Sequence, residues 1–359
     1  IMRSFHQKTD MTVFTYHGEV DTVMTPLDSI RYYKSFLRAG FCAMDVNTGA
    51  VKAYVGGLDF THFQYDMVMD GRRQVGSTIK PFLYALAMEN GFSPCDRAPN
   101  VQRTYMVAGQ PWTPRNASHS HYGENVTLKW GLAQSNNWIS AYLMSKLDPI
   151  QFVQLLHEFG ISNPNIHPSM SLCLGPCDIT VGEMVSAYTA FANHGIRCAP
   201  MFVSKIEDSN GQVIARFEPR VNEVISEESA FKMLVLLQGV VNGGTGGRLR
   251  FKYNIQAQMG GKTGTTNRNS DAWFIGVTPK LVAGVWVGGE DRDIHFDSMA
   301  MGQGATMALP IYAYFMKKVY RNNSLPYRAD DVFDLPEDFD GCGQAVEQDD
   351  MMDIEDVFE

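Results

Sequence analysis

The chain has 359 residues, 45% of them apolar and 19% charged, with a formal net charge of −9. That balance supports a large buried core and excludes a disordered chain. The acidic charge, with no Lys/Arg-rich run, argues against a nucleic-acid partner, and the longest apolar run, MLVLLQGVV at 233–241, is too short to cross a bilayer.

No signal-peptide pattern opens the chain, which begins at Ile1 and is expected to be a piece of a longer protein. Residues 1–38 are polar and weakly patterned around a helix-like SIRYYKSFLRA, and read as a linker or the remnant of a preceding domain. FCAMDVNTGAVKAYVGG, at 41–57, has two apolar runs around Asn47-Thr48-Gly49, the signal of a hairpin whose turn wants positive φ. RRQVGSTIKPFLYALAMENG, at 72–91, predicts a helix over 78–90 closed by Gly91. Pro, Gly, Asn and Ser make 94–125 a run of loops. VTLKWGLAQSNNWISAYLMSKL (126–147), PIQFVQLLHEFG and TVGEMVSAYTAFANHG all carry helical apolar spacing.

After these the period changes. MFVSKIEDSNGQVIARFEP predicts two strands about Asn210-Gly211, and ESAFKMLVLLQGVVNGG a helix. GGKTGTTN, DAWFIGVTPK and LVAGVWVGG read as strands with tight turns, and LPIYAYFMKKVY (309–320) as a last helix. Residues 326–359 form an acidic tail expected to be disordered. Strands at both ends of a helical middle predict an α+β fold: the outer segments share one sheet and the middle forms a helical lobe. The main domain then runs over 39–325.

Six cysteines lack CxxC spacing, which argues against a zinc knuckle. Cys173 and Cys177, in CLGPC, are compatible with a disulfide or with two separate thiols.

Three short motifs carry chemistry. Ser77 and Lys80 stand three apart where a helix begins, so the hydroxyl and the amine share a face beside the partial positive charge of the helix end. Serine needs a base to become a nucleophile, and lysine becomes that base only when burial or nearby positive charge lowers its pKa. A cap plus a solvated lysine would explain the same spacing. Ser135-Asn136-Asn137 offers a second hydroxyl and an amide, or a plain helix N-cap. Lys262-Thr263-Gly264-Thr265 lacks the glycine five residues before Gly-Lys that a phosphate loop needs, since Gln256 stands there. A strand edge with a cation, two hydroxyls and a glycine suits a carboxylate on an extended peptide.

S-x-x-K, S-x-N and K-T-G in that order are the signature of the penicillin-recognising serine acyl-transferases. The chain resembles the transpeptidase domain of a class A penicillin-binding protein. DVNTGAVKAYVGG, RRQVGSTIKPFLYALAMENG, VTLKWGLAQSNNWISAYL, VGEMVSAYTAFANHG, GGTGG and GGKTGTTNRNSDAWFIGVTP carry the resemblance over about 39–320. It implies the fold shared with serine β-lactamases: a five-stranded antiparallel sheet flanked by helices, plus an all-helical lobe. It implies a peptidoglycan D,D-transpeptidase, inhibited by β-lactams, at the outer face of the cytoplasmic membrane. The full-length protein would be anchored in that membrane and bear a glycan-polymerising domain.

Carried onto this sequence, the resemblance implies Ser77 as nucleophile, Lys80 as base and Ser135 as proton relay. Asn137 would hold Lys80 and the substrate amide, Lys262, Thr263 and Thr265 would bind the terminal carboxylate, and Gly264 would belong to the substrate-binding strand. Lys262 would also keep Lys80 neutral by repulsion. The backbone N–H groups of Ser77 and Thr265 would form the oxyanion hole. No metal or cofactor is implied; partners would be stem peptides, β-lactams and other cell-wall synthesis proteins. The alternatives are a β-lactamase, a D,D-carboxypeptidase, or a β-lactam-binding sensor or scaffold. His119 and His121, Trp112 and Asn116, and the glycines of NGGTGG stay open between functional and ordinary loop roles.

Overall fold

The computed structural model describes residues 3–337, 339, 341 and 342. The segment read as a linker is folded: β1 (Thr9–Thr15) and β2 (Gly18–Met24) pair antiparallel, and α1 (Pro26–Ser35) follows. Thr25 caps that helix, its hydroxyl accepting from Asp28 N–H at 3.1 Å, and Pro26 fills the first turn, where no N–H is needed. Phe14, Tyr33 and Phe36 gather around Phe63 with ring centroids 5.0–5.9 Å apart, tying this segment to the main domain.

β3 (Arg38–Asp45) and β4 (Val51–Val55) form the expected hairpin, with Gly49 at φ 71°. The serine segment is a 3-10 turn over Gly76–Ile79 that continues into α2 (Lys80–Glu89). The stretch 126–147 is not one helix. It divides into α3 (Leu128–Ala133) and α4 (Asn137–Lys146), because Ser135 adopts a left-handed φ of 53° between them. Helices α5 (Pro149–Glu158), α6 (Val181–Ala192) and α7 (Glu227–Gly243) follow as the apolar periods predict. Between α6 and α7, Lys205–Glu207 and Val213–Arg216 pair around Asn210-Gly211. The chain returns through β5 (Gly260–Thr265), β6 (Asp271–Val277) and β7 (Leu281–Gly288) to α8 (Leu309–Arg321).

The sheet order is β5-β6-β7-β3-β4, all antiparallel, so both chain ends share it and β5 is an edge. β6 and β7 are buried along their whole length, which requires cover on both faces. On one face Trp273, Ile275 and Trp286 join Phe82, Tyr188 and Phe191 in the larger core, which runs on into the helical lobe. On the other, Phe274 and Val285 meet Tyr312 and Met316 of α8. Gly276 permits that contact: a Cβ there would lie 2.2 Å from the Tyr312 ring.

The tail is not loose over its described part. Tyr327 and Phe333 are each 6% exposed, Lys280 pairs with Asp331, and Phe339 meets Phe231 at 5.8 Å. Cys342 forms a disulfide with Cys95. Residues 343–359 lie outside the described part. Cys173 and Cys177 are separate buried thiols. Their CLGPC segment instead braces the serine turn through main-chain bonds, Val75 N–H to Cys177 O and Gly76 N–H to Gly175 O, both 3.1 Å.

Candidate active site

Local geometry first sets Ser77. The 3-10 turn places Ser77 and Lys80 almost eclipsed, and Lys80 N–H donates back to Ser77 O. Ser77 is half-buried, and its hydroxyl makes no hydrogen bond among the described residues. The turn lies flat on β5. A Cβ at Gly264 would come 2.8 Å from both Thr78 Cγ2 and Val75 O, and one at Gly76 would come 2.7 Å from Thr265 O. The glycine of the K-T-G motif therefore lets the serine approach the strand edge.

Ser135 is brought in from the other wall. Asn136, not Ser135, caps α4: its Oδ1 accepts from Trp138 N–H at 2.9 Å and Ile139 N–H at 3.1 Å. The N-cap explanation thus applies to the middle residue and leaves its neighbours free to face the cleft. Lys80 Nζ donates to Ser135 O at 2.7 Å and Asn137 Oδ1 at 2.6 Å, with Ser135 Oγ at 3.4 Å. Lys262 Nζ reaches the same hydroxyl at 2.8 Å and Thr263 O at 3.0 Å. Ser135 is thus bonded to both lysines, and Lys80, Ser135, Asn137, Lys262 and Thr263 form one hydrogen-bonded group. Ser77, Gly264 and Thr265 join it through backbone contact.

Both lysines are completely buried. Burial pushes Lys80 down to about 7, because its charged form is cut off from water. Cys173 gives no counter-charge: burial raises its thiol to about 12, so it is neutral at pH 7. Burial also drives Lys262 well below the usual lysine range, with repulsion from Lys80 second. The repulsion acts on Lys262; the lowering of Lys80 comes from burial, not from Lys262. Two amines sharing one hydroxyl titrate as a pair.

The sequence reading missed Thr245. Its hydroxyl lies 2.7 Å from that of Thr263, and its N–H donates to Ala133 O at 3.0 Å. The GGTGG loop therefore links the end of α3 to β5; the motif was visible in the sequence, but its partner, 18 residues on, was not. Asn116 accepts from Asn137 N–H at 2.6 Å, and Arg115 O accepts from Asn137 Nδ2 at 2.6 Å, so the PRN loop orients Asn137. Trp112 packs on Tyr105. His121 pairs with Glu124, and His119 lies against Trp138.

Comparison with known proteins identifies the family of the chain. Residues 39–291 match the model of the penicillin binding protein transpeptidase domain, and residues 1–37 that of the penicillin-binding protein middle domain. Penicillin-binding protein 1A of Aquifex aeolicus is 35% identical over 287 residues, covering 79% of this chain and 38% of that protein. Its counterpart in Rickettsia conorii is 32% identical over 319 residues, covering 81% and 39%. The chain thus spans about two fifths of the length of these curated relatives. Among solved structures, penicillin-binding protein 1A from Haemophilus influenzae superimposes with a TM-score of 0.75 at 26% identity, over 83% of this chain and 49% of that one. PonA1 from Mycobacterium tuberculosis, solved with penicillin V, shares the fold with a TM-score of 0.71 at 23% identity, over 95% and 91%.

Proposed function

This chain belongs to the penicillin-binding protein transpeptidase family, and from that premise we propose that it is a serine acyl-transferase that cross-links peptidoglycan. Neutral Lys80 takes the Ser77 proton, and the alkoxide attacks the carbonyl between the two terminal D-alanines of a stem peptide. The tetrahedral oxyanion is held by the backbone N–H groups of Ser77 and Thr265, a kind of donor worth about 3 kcal/mol of barrier each. Ser135 passes a proton to the leaving nitrogen, the C–N bond breaks, and D-alanine departs. An amine of a neighbouring stem then attacks the ester, a new amide forms and Ser77 regains its proton. Asn137 holds Lys80 and the substrate amide. Lys262, Thr263 and Thr265 hold the terminal carboxylate, Gly264 lets the serine turn lie close on the strand, and the extended peptide runs along the free edge of β5. A β-lactam would enter by the same route and stop at the acyl-enzyme. The reaction belongs to the cell envelope, outside the cytoplasmic membrane, in company with other cell-wall synthesis proteins. Among the described residues no helix is long and apolar enough to cross a membrane.

One observation carries this reading: a single hydroxyl, Ser135 Oγ, accepts from two fully buried lysines of different motifs. Surface amines would not be arranged so. The test is mass spectrometry after brief exposure to benzylpenicillin. One stable adduct on the peptide bearing Ser77, absent in Ser77→Ala, is expected; no adduct, or one elsewhere, rejects the assignment.

A further inference from the structure

Two hydroxyls of the K-T-G-T strand are held by segments outside it. Thr263 and Thr265 stand two apart on β5 and so project to one face. The Thr263 hydroxyl is bonded to that of Thr245. The Thr265 hydroxyl accepts from Gly304 N–H at 3.1 Å, which leaves its own proton to give elsewhere. Gly304 opens a short helical turn, Gly304–Met307. It comes this close because it has no side chain: a Cβ there would lie 2.3 Å from Trp273 O and 2.5 Å from Gly264 O.

The two supports belong to separate parts of the chain, and one side chain joins them. Arg248 follows Thr245 after two glycines. Its Nη1 donates to Ala305 O at 2.9 Å and to Thr306 Oγ1 at 3.0 Å. Thr306 Oγ1 in turn donates to Ala300 O at 2.9 Å. The next residue, Leu249, is completely buried, so the guanidinium is carried on an anchored backbone. Gly246 and Gly247 have no side chains with which to stiffen the GGTGG loop, and the bonds to 305 and 306 supply what they lack. Among the described residues no carboxylate pairs with Arg248, so an ion pair does not explain its placement. A carboxylate accepts through two oxygens at a fixed spacing. Two donor hydroxyls serve it best when the groups behind them fix their separation.

We propose that Arg248 is a positioning residue for carboxylate recognition. By tying the GGTGG loop to the turn 304–307 it fixes Thr245 and Gly304, and through them the hydroxyls of Thr263 and Thr265, at the separation that a terminal carboxylate needs. The inference rests on the acyl-transfer reading of this strand and adds to it a residue that touches no substrate. Stopped-flow acylation by benzylpenicillin and by its methyl ester tests it. Arg248→Met should lower the second-order rate constant for benzylpenicillin by about tenfold through weaker binding, with the limiting acylation rate kept within about twofold. The ester, which has no carboxylate to place, should react with wild type and variant alike. Thr306→Val removes one acceptor and keeps the guanidinium; it should weaken benzylpenicillin binding by about threefold and leave the ester unaffected, and it decides the matter if Arg248→Met does not fold. If the ester reacts too slowly to follow, the split between binding and limiting rate decides. Equal loss with both substrates, a fall confined to the limiting rate, or unchanged binding of benzylpenicillin overturns the proposal and leaves the acyl-transfer reading standing. A wild-type chain that benzylpenicillin does not acylate at Ser77 removes both.

Discussion

Lys80 can accept a proton only as the free amine. Burial sets its loss of charge near pH 7, so acylation by a β-lactam should climb as pH rises through that value and drop about tenfold per unit below it. Stopped-flow acylation across pH checks this; a flat profile down to pH 5 would mean that another group removes the proton. Thr245 leads to a second expectation. A hydroxyl has one proton to give, so if Thr263 donates to a carboxylate, Thr245 must donate to Thr263. Thr245→Val should then lower the second-order acylation rate by about tenfold, mostly through weaker binding, and Thr245→Ser should restore it. A carboxylate-esterified β-lactam should be indifferent to both changes, which a general packing defect would not produce.

Elements come together through a few buried polar ties. Asp271, at the start of β6, is completely buried and accepts from Arg73 Nε, Trp286 Nε1 at 3.0 Å and Thr266 Oγ1 at 3.2 Å. It joins the segment leading to Ser77 to the end of β5. Asp271→Asn would keep the shape but leave the Arg73 charge buried and unpaired, and should cost about 3 kcal/mol or more in urea unfolding. An unchanged midpoint would show that the tie contributes nothing. At this scale the sequence was readable wherever period and turn chemistry agreed: Asn47-Thr48-Gly49 and Asn210-Gly211 marked hairpins, and the segments of β6 and β7 read as strands with tight turns. It was unreadable where one residue overrode its neighbours. Nothing in LAQSNNW announces that Ser135 turns left-handed and splits a helix, since serine has no preference for that conformation; the bonds to Lys80 and Lys262 hold it there. The β1–β2 pair was missed because its alternation is diluted by Thr, Asp and Glu, and it holds only Val13 and Phe14 in the core.

For the molecule as a whole, the order of the three motifs was enough to indicate the fold and which residues face each other, because each motif requires its own kind of element. The path of the tail was not legible. Tyr327, Phe333 and Leu335 are too few and too irregularly spaced to mark a packed segment among acidic residues, and the pairing of Cys95 with Cys342 spans 247 residues. Closing so long a loop restricts the unfolded chain, so replacing both cysteines with serine should lower stability by about 3 kcal/mol or more. Thermal unfolding with and without reductant measures it, and equal melting temperatures would argue against the bond.

The same tail has a mechanical consequence. It leaves the sheet beside Asp45 and Lys280, crosses to Gln258, and ends riveted to the loop behind α2. The two jaws that carry Lys262 and Ser135 are thereby laced together at the rear, as a strap limits how far a clasp can gape. If the proposed stem peptide enters from the front, bending of the rim loops would admit it more readily than parting of the jaws.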